Sequence, residues 1–183
     1  QVGSDYLIQH INASNAQNAN VSSAIRLGVP DYEQQFIADQ VLAATGLPYL
    51  GQTVTREGQL KLLMDNAISE AGKASGFVLG QALTPEQQKN LTKDIVWMVM
   101  MKVSGQDVLV PQLYLSPATL AAAKANGAQV LAGKDVTMTV KNLTNNGGNI
   151  EAGYGQPKTA QLAAAGAANG NLTINAANVD NIS

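Results

Sequence analysis

The residues able to transfer protons or hold a metal are few and scattered along the chain. His10 is the sole histidine and there is no cysteine. A Ser-His-Asp arrangement could therefore form in only one way, and a thiolate nucleophile or cysteine zinc site is excluded. A metal centre needs three or four suitable ligands. Only carboxylates would be left to supply them, and no Asp-x-Asp-x-Asp-Gly calcium loop occurs. Asp31 with Glu33, Asp65 with Glu70, and Asp94 are the carboxylates that glycoside hydrolysis could use. Each also has a plain structural reading. Asp31 and Glu33 suit a solvated helix start, where acids complement the helix dipole. Asp65 and Asp94 suit a helix face or a cap, and His10 a surface or capping position. The glycines form neither GxGxxG nor GxxxxGK[ST]. No catalytic, cofactor-binding or metal residue is assigned, no cofactor is expected, and the expectation is that the protein is not an enzyme.

Composition narrows the partners. The 183 residues carry 13% charged side chains and a net charge of −2. With no basic cluster, the electrostatic footprint of nucleic-acid binding is missing, so nucleic acid is not expected as a partner. No apolar run approaches the roughly 18 residues of a membrane span. The aromatics are uneven: seven of the eight lie in the first 115 residues, and Tyr154 is the other. This shift places a boundary near Asn126–Gly127.

The first part reads as helices and one hairpin. A helix is predicted after Pro30, with Tyr32, Phe36, Ile37, Gln40, Val41 and Ala44 on one face and Gly46 as its left-handed stop. A second is predicted after Thr55, with Leu60, Leu63, Met64, Ala67, Ile68 and Ala71 as its buried stripe. Thr84-Pro85-Glu86 signs a short third helix, and Ser116-Pro117 a fourth that runs to Ala125. Between them, Ile95 to Val103 and Val108 to Leu115 flank a Gly-containing turn and read as a hairpin. Pro111 cannot donate to a ladder, so its strand should be an edge or be bulged there. Trp97, Met98, Met100 and Met101 would alternate between the two faces of that hairpin.

The last part follows another pattern. Val136-Thr-Met-Thr-Val140 and Leu172-Thr-Ile-Asn-Ala176 both alternate with period two. Aligned, they give a repeat with a 36-residue offset: Val136, Met138, Val140, Asn142, Leu143 and Asn145 beside Leu172, Ile174, Ala176, Asn178, Val179 and Asn181. Such strands with Asn and Gly at their bends suggest a β-solenoid. Segments 148–152 and 160–164 would be further strands, and 153–159 a loop. The chain begins without Met and stops in mid-pattern at Ser183, which reads as a fragment of a longer protein.

Several motifs carry a family resemblance. Ser4-Asp5-Tyr6-Leu7-Ile8, Arg26-Leu27-Gly28, Tyr32-Glu33-Gln34, Leu63-Met64-Asp65-Asn66-Ala67, Leu83-Thr84-Pro85-Glu86-Gln87, Leu91-Thr92-Lys93-Asp94-Ile95-Val96-Trp97 and Val108-Leu109-Val110-Pro111-Gln112-Leu113-Tyr114-Leu115 occur in the family's order. Together they resemble the filamentous-haemagglutinin family. These are large exoproteins of bacterial two-partner secretion and include adhesins and contact-dependent growth inhibition effectors. Gly28-Val29-Pro30-Asp31 departs from a Gly-Asp-Gly-like turn common in the family, and 12–23 matches none of its motifs. The resemblance implies secretion to the bacterial cell surface through an outer-membrane barrel transporter, and a parent chain able to carry a toxin.

The expected fold is α+β: a helical and hairpin subdomain (1–126) joined to the start of a right-handed parallel β-helix of haemagglutinin-type repeats (127–183). The expected function is a non-catalytic, structural and adhesive segment of a filamentous surface protein, in which the helical part interrupts the rod. Two rivals stand beside it, a receptor-binding module for target cells and a carbohydrate-active enzyme. The partners are then the barrel transporter during export and, on the first rival, a target-cell receptor; the chain is not membrane-spanning.

Overall fold

The computed structural model describes residues 1–11, 24–26, 29–73, 76–103, 106–127, 136–146, 149–153 and 172–182. The expected strand at 160–164, the loop at 154–159, the hairpin turn at 104–105 and the Asn/Ala-rich 12–23 lie outside these residues.

The helices start and stop where local chemistry directs. α1 (Ser4–His10) is a short opening helix. α2 (Pro30–Thr45) opens on a proline, whose missing N–H costs nothing at a helix start. It closes at Gly46, whose φ of 74° lets its N–H reach the Leu42 carbonyl at 2.7 Å. α3 (Arg56–Gly72) is capped by the Thr55 hydroxyl, which accepts from the Gly58 N–H. α4 (Pro85–Lys89) carries a reciprocal capping box: Thr84 Oγ1 accepts from Gln87 N, and Gln87 Oε1 from Thr84 N. α5 (Pro117–Ala125) is capped by Ser116.

The strands are β1 (Ile25–Arg26), β2 (Ile95–Val103), β3 (Gln106–Tyr114), β4 (Val136–Asn146), β5 (Asn149–Gly153) and β6 (Leu172–Ile182). β2 and β3 form the expected antiparallel hairpin, in register from Ile95↔Tyr114 to Val103↔Gln106. Two-residue β1 runs parallel to β3 at Val108 and Leu109, and beyond Leu109 β3 has no strand on that side among the described residues. Pro111 lies on this open stretch, opposite Met98 without a bulge. A side chain completes the edge there. Gln40 of α2, fully buried, donates through Nε2 to the Pro111 carbonyl at 3.1 Å and accepts the Leu113 N–H at 3.0 Å. One amide group thus does for two backbone groups what a neighbouring strand would do.

α3 packs on β2, and α2 on α3 and β3. The core between them includes Leu7, Phe36, Ile37, Leu60, Leu63, Met64, Trp97, Leu109 and Tyr114, all essentially inaccessible. Its polar tips are paired. Trp97 Nε1 donates to the Val78 carbonyl, and the Tyr114 hydroxyl accepts the Leu83 N–H.

The expected parallel β-helix is corrected here. The strands join in the order β1-β3-β2-β6-β4-β5 as one mixed sheet closed on itself, not as a stack of parallel coils. β4 pairs with β6 in parallel, from Val136↔Leu172 to Asn146↔Ile182, so the 36-residue offset returns as a strand register. β5, however, pairs with β4 antiparallel, from Asn142↔Gly153 to Asn146↔Asn149. The reason is covalent: two residues separate β4 from β5, and a parallel return needs a crossover of about a dozen. β5 then meets β1 at Arg26↔Asn149, and β6 meets β2 at Val103↔Ile174. No helix among the described residues is long and apolar enough to cross a membrane.

Candidate functional site

Three motifs far apart in sequence converge at the start of α2. Glu33, in its first turn, is 2% exposed. Its Oε1 accepts from the Ser4 backbone N–H at 2.9 Å and the Ser4 hydroxyl at 3.1 Å. Arg26 Nε donates to that hydroxyl at 3.1 Å, and a terminal nitrogen donates to the Ala24 carbonyl at 2.7 Å. The other terminal nitrogen lies 3.4 Å from Asp5, whose side chain is exposed. Burial pushes the Glu33 carboxyl up to about 7, against the opposing pull of the Ser4 hydrogen bonds and the Arg26 charge. The pairing of Asp31 and Glu33 as one solvated helix start therefore holds for Asp31 alone, which is exposed.

A second group lies on the other side of α1. Tyr6 donates its hydroxyl to Asp65 Oδ1 at 2.5 Å, and Lys61 reaches Asp65 Oδ2 at 2.8 Å from one helical turn away. Burial raises the Asp65 carboxyl, but the Lys61 and Tyr6 hydrogen bonds outweigh it and hold the group below the usual carboxylate range. His10 is exposed, lies 4.3 Å from the Tyr6 ring between centroids, and contacts the Tyr6 carbonyl through Nδ1 at 2.7 Å. Lys61 also sits over the Tyr6 ring. A histidine, a lysine, a tyrosine and a carboxylate thus share one surface, in an arrangement the spacing of residues 6, 10, 61 and 65 does not announce.

The other sequence candidates lie apart from these. Glu70 accepts from the Thr92 N–H and hydroxyl, which ties the end of α3 to the approach of β2. Beside it is a cavity of about 500 Å3, lined among others by Glu70, Lys73, Phe77, Glu86 and Asn90. Asp94 caps α5 from outside: Oδ1 accepts the Ser116 N–H at 2.7 Å and Oδ2 the Thr119 hydroxyl at 2.9 Å. Trp97 and Met98 are buried, while Met100 and Met101 are half-buried against the core. Among the described residues, no three metal-ligating side chains come together.

No family model and no solved structure matches this chain. Long bacterial proteins do. A toxin CdiA of Escherichia coli is 33% identical over 126 residues, which is 69% of this chain and 4% of that protein. A tRNA nuclease CdiA of Yersinia mollaretii is 34% identical over 146 residues, 80% of this chain and 5% of that protein. A deoxyribonuclease CdiA of Dickeya dadantii is 34% identical over 174 residues, 94% of this chain and 5% of that protein. This chain belongs to the CdiA family of contact-dependent growth inhibition effectors. It spans about one twentieth of the length of the CdiA relatives it matches. Members of the family are secreted proteins of the cell surface.

Two expectations fall with this finding. The protein was expected to be no enzyme and to have no nucleic-acid partner, whereas these CdiA relatives are named as nucleases of tRNA and DNA. The reason is one of scope. A net charge of −2 over 183 residues measures the field of this stretch alone, and says nothing of contacts that relatives some twenty times longer make elsewhere.

Proposed function

We propose that this chain is a shared structural module of a contact-dependent growth inhibition effector whose full-length protein is a nuclease. What carries the reading is that one stretch matches both a tRNA nuclease and a deoxyribonuclease at about a third identity. Telling tRNA from duplex DNA requires groups that read groove shape, unpaired bases or the 2′-hydroxyl. A stretch common to both kinds of effector does not make that choice. Its paired-up interior, with Gln40, Trp97, Tyr114 and Asp94 each holding one element to another, fits a part that keeps its shape while the substrate varies. In the same reading, 1–126 and 127–183 are separable parts.

A transplant tests this. The matching stretch of the tRNA-nuclease relative is replaced by this chain, and RNA and DNA of inhibited target cells are examined. The chimera is expected to inhibit growth and to cut tRNA while leaving DNA intact. A substrate that followed the transplanted stretch would overturn the reading.

An adhesive role on the cell surface is the second reading. What favours it is the exposure of Leu42, Leu47, Val54 and Leu62, with Leu47 beside an apolar cavity between α2 and α5. Leu47→Asp with Val54→Asp should then lower binding of the full effector to target cells. Unchanged binding would remove it.

A further inference from the structure

Arg26 beside the start of α2 has the outward signs of an anion site, a buried cation at the positive end of a helix dipole. The hydrogen-bond inventory reverses that reading. The guanidinium is engaged by Ser4 Oγ, the Ala24 carbonyl and Asp5. Ser4 directs both its N–H and its hydroxyl to Glu33 Oε1. What is left over is an acceptor: Glu33 Oε2 is buried and has no hydrogen-bond partner among the described residues. A cavity of about 140 Å3 reaches this carboxyl, lined among others by Gly3, Ser4, Asp5, Tyr6 and Arg26. With Glu33 ionised and the terminal amine of Gln1, which also lines the cavity, acetylated, the Glu33 and Asp5 carboxylates outnumber the single guanidinium. A small, positive donor suits such a site.

We propose that this cavity binds a primary ammonium group, with Glu33 Oε2 as the accepting oxygen and the Asp5 carboxylate at the rim. A metal ion fits less well, because no three metal-ligating side chains meet among the described residues. An ammonium head needs fewer partners, since its three donors can be shared with water. The same chemistry could come from a free amine or from a lysine side chain of a polypeptide. Gly3 lets the chain pass close to this carboxyl: a Cβ there would lie 2.8 Å from Glu33 Oε1 and 3.0 Å from Pro30 Cβ.

The experiment follows the side-chain carboxyl carbons of 13C-glutamate-labelled protein by NMR. The full chain is used with Gln1 acetylated, so that its own terminal amine does not compete. n-Butylammonium chloride is titrated at about pH 8, above the Glu33 value, and tetramethylammonium chloride, which has no N–H, is the control. One carboxyl resonance should shift saturably with butylammonium. The tetramethylammonium effect should be weaker by about tenfold or more, as loss of a charged hydrogen bond implies. The shift should be absent in Glu33→Gln, and Asp5→Asn should weaken it several-fold by removing the exposed rim charge. Binding should weaken as pH falls through about 7, because proton and amine compete for one oxygen, with Arg26 and Asp5 the charged groups facing it. Nα-acetyl-lysine amide binding as well as butylammonium assigns the site to a polypeptide lysine; butylammonium binding alone assigns it to a free amine. A linear response, an equal response to tetramethylammonium, or persistence in Glu33→Gln would overturn the proposal.

Discussion

Glu33 and Gln40 lie two turns apart on one helix, and each does a task its residue type does not reveal. Gln40 follows the periodic apolar face of α2, so its position toward the core was legible. Its role was not, because the strand edge it completes lies 71 and 73 residues away. Gln40→Met keeps the side-chain volume but removes both bonds, which leaves the Pro111 carbonyl and the Leu113 N–H buried and unpaired. The expected loss is about 2–4 kcal/mol, read from urea unfolding. A loss below about 0.5 kcal/mol, the scale of a neutral surface change, would show that the edge is satisfied another way. Glu33 gives a pH dependence of definite sign. Its carboxyl lies near 7 in the folded protein against an ordinary 4.5. The folded state therefore holds the proton more tightly, so the stabilisation is complete below the ordinary value and is lost as pH rises through 7. Urea midpoints should fall between about pH 5 and pH 8, and Glu33→Gln should flatten that part of the curve. Asp65 and Glu70, both held low, act in the opposite sense and below this window. A variant with the same slope as the parent would place the proton elsewhere.

At the scale of elements, punctuation was the readable signal. Pro30, Gly46, Thr55, Thr84 and Ser116 each stand at the helix end that their chemistry predicts. The β2–β3 hairpin followed from two β-branched runs around a Gly-containing turn. The misreading of 127–183 has an equally local cause. Period-two strands repeating at 36 residues report that β4 and β6 can lie in parallel register, and they do. They do not report what the third strand does. The gap of two residues before β5 carried that information and forces an antiparallel return. The short α4 tests how far a cap determines an element. Thr84→Ala removes the hydroxyl that accepts the Gln87 N–H and should cost about 1 kcal/mol, whereas Thr84→Ser should be near neutral. The loss should appear as faster amide exchange at Gln87 and Gln88. Because Leu83 is tied to the Tyr114 hydroxyl, exchange at Leu83 itself should stay slow. Equal acceleration at Leu83 would mean that the cap, not the tyrosine, anchors this segment.

For the whole molecule, the question is which part of the chain supplies the folding free energy. The hydrophobic cluster of the described residues runs from Leu7 to Leu115, with Leu120 packed against it. The sheet is shared differently: among the described residues, the registered pairs that join β5 and β6 to the earlier strands are Arg26↔Asn149 and Val103↔Ile174. Burial of apolar side chains is the dominant favourable term, and one or two ladder positions contribute about 1 kcal/mol each at most. If 1–126 and 127–183 are separable parts as proposed, cutting after Asn126 should cost little, because it leaves these side chains in place. Trp97, the sole tryptophan, is fully buried and in edge contact with Phe77 at 5.3 Å, so it reports directly on that core. Fragment 1–126 is expected to keep the blue-shifted Trp97 emission of the full chain. It should lose that emission in one cooperative urea transition, with a midpoint lowered by no more than a few kcal/mol of stability divided by the slope. Red-shifted emission without a transition would show that the closed sheet, and not the helix-covered core, holds the molecule together.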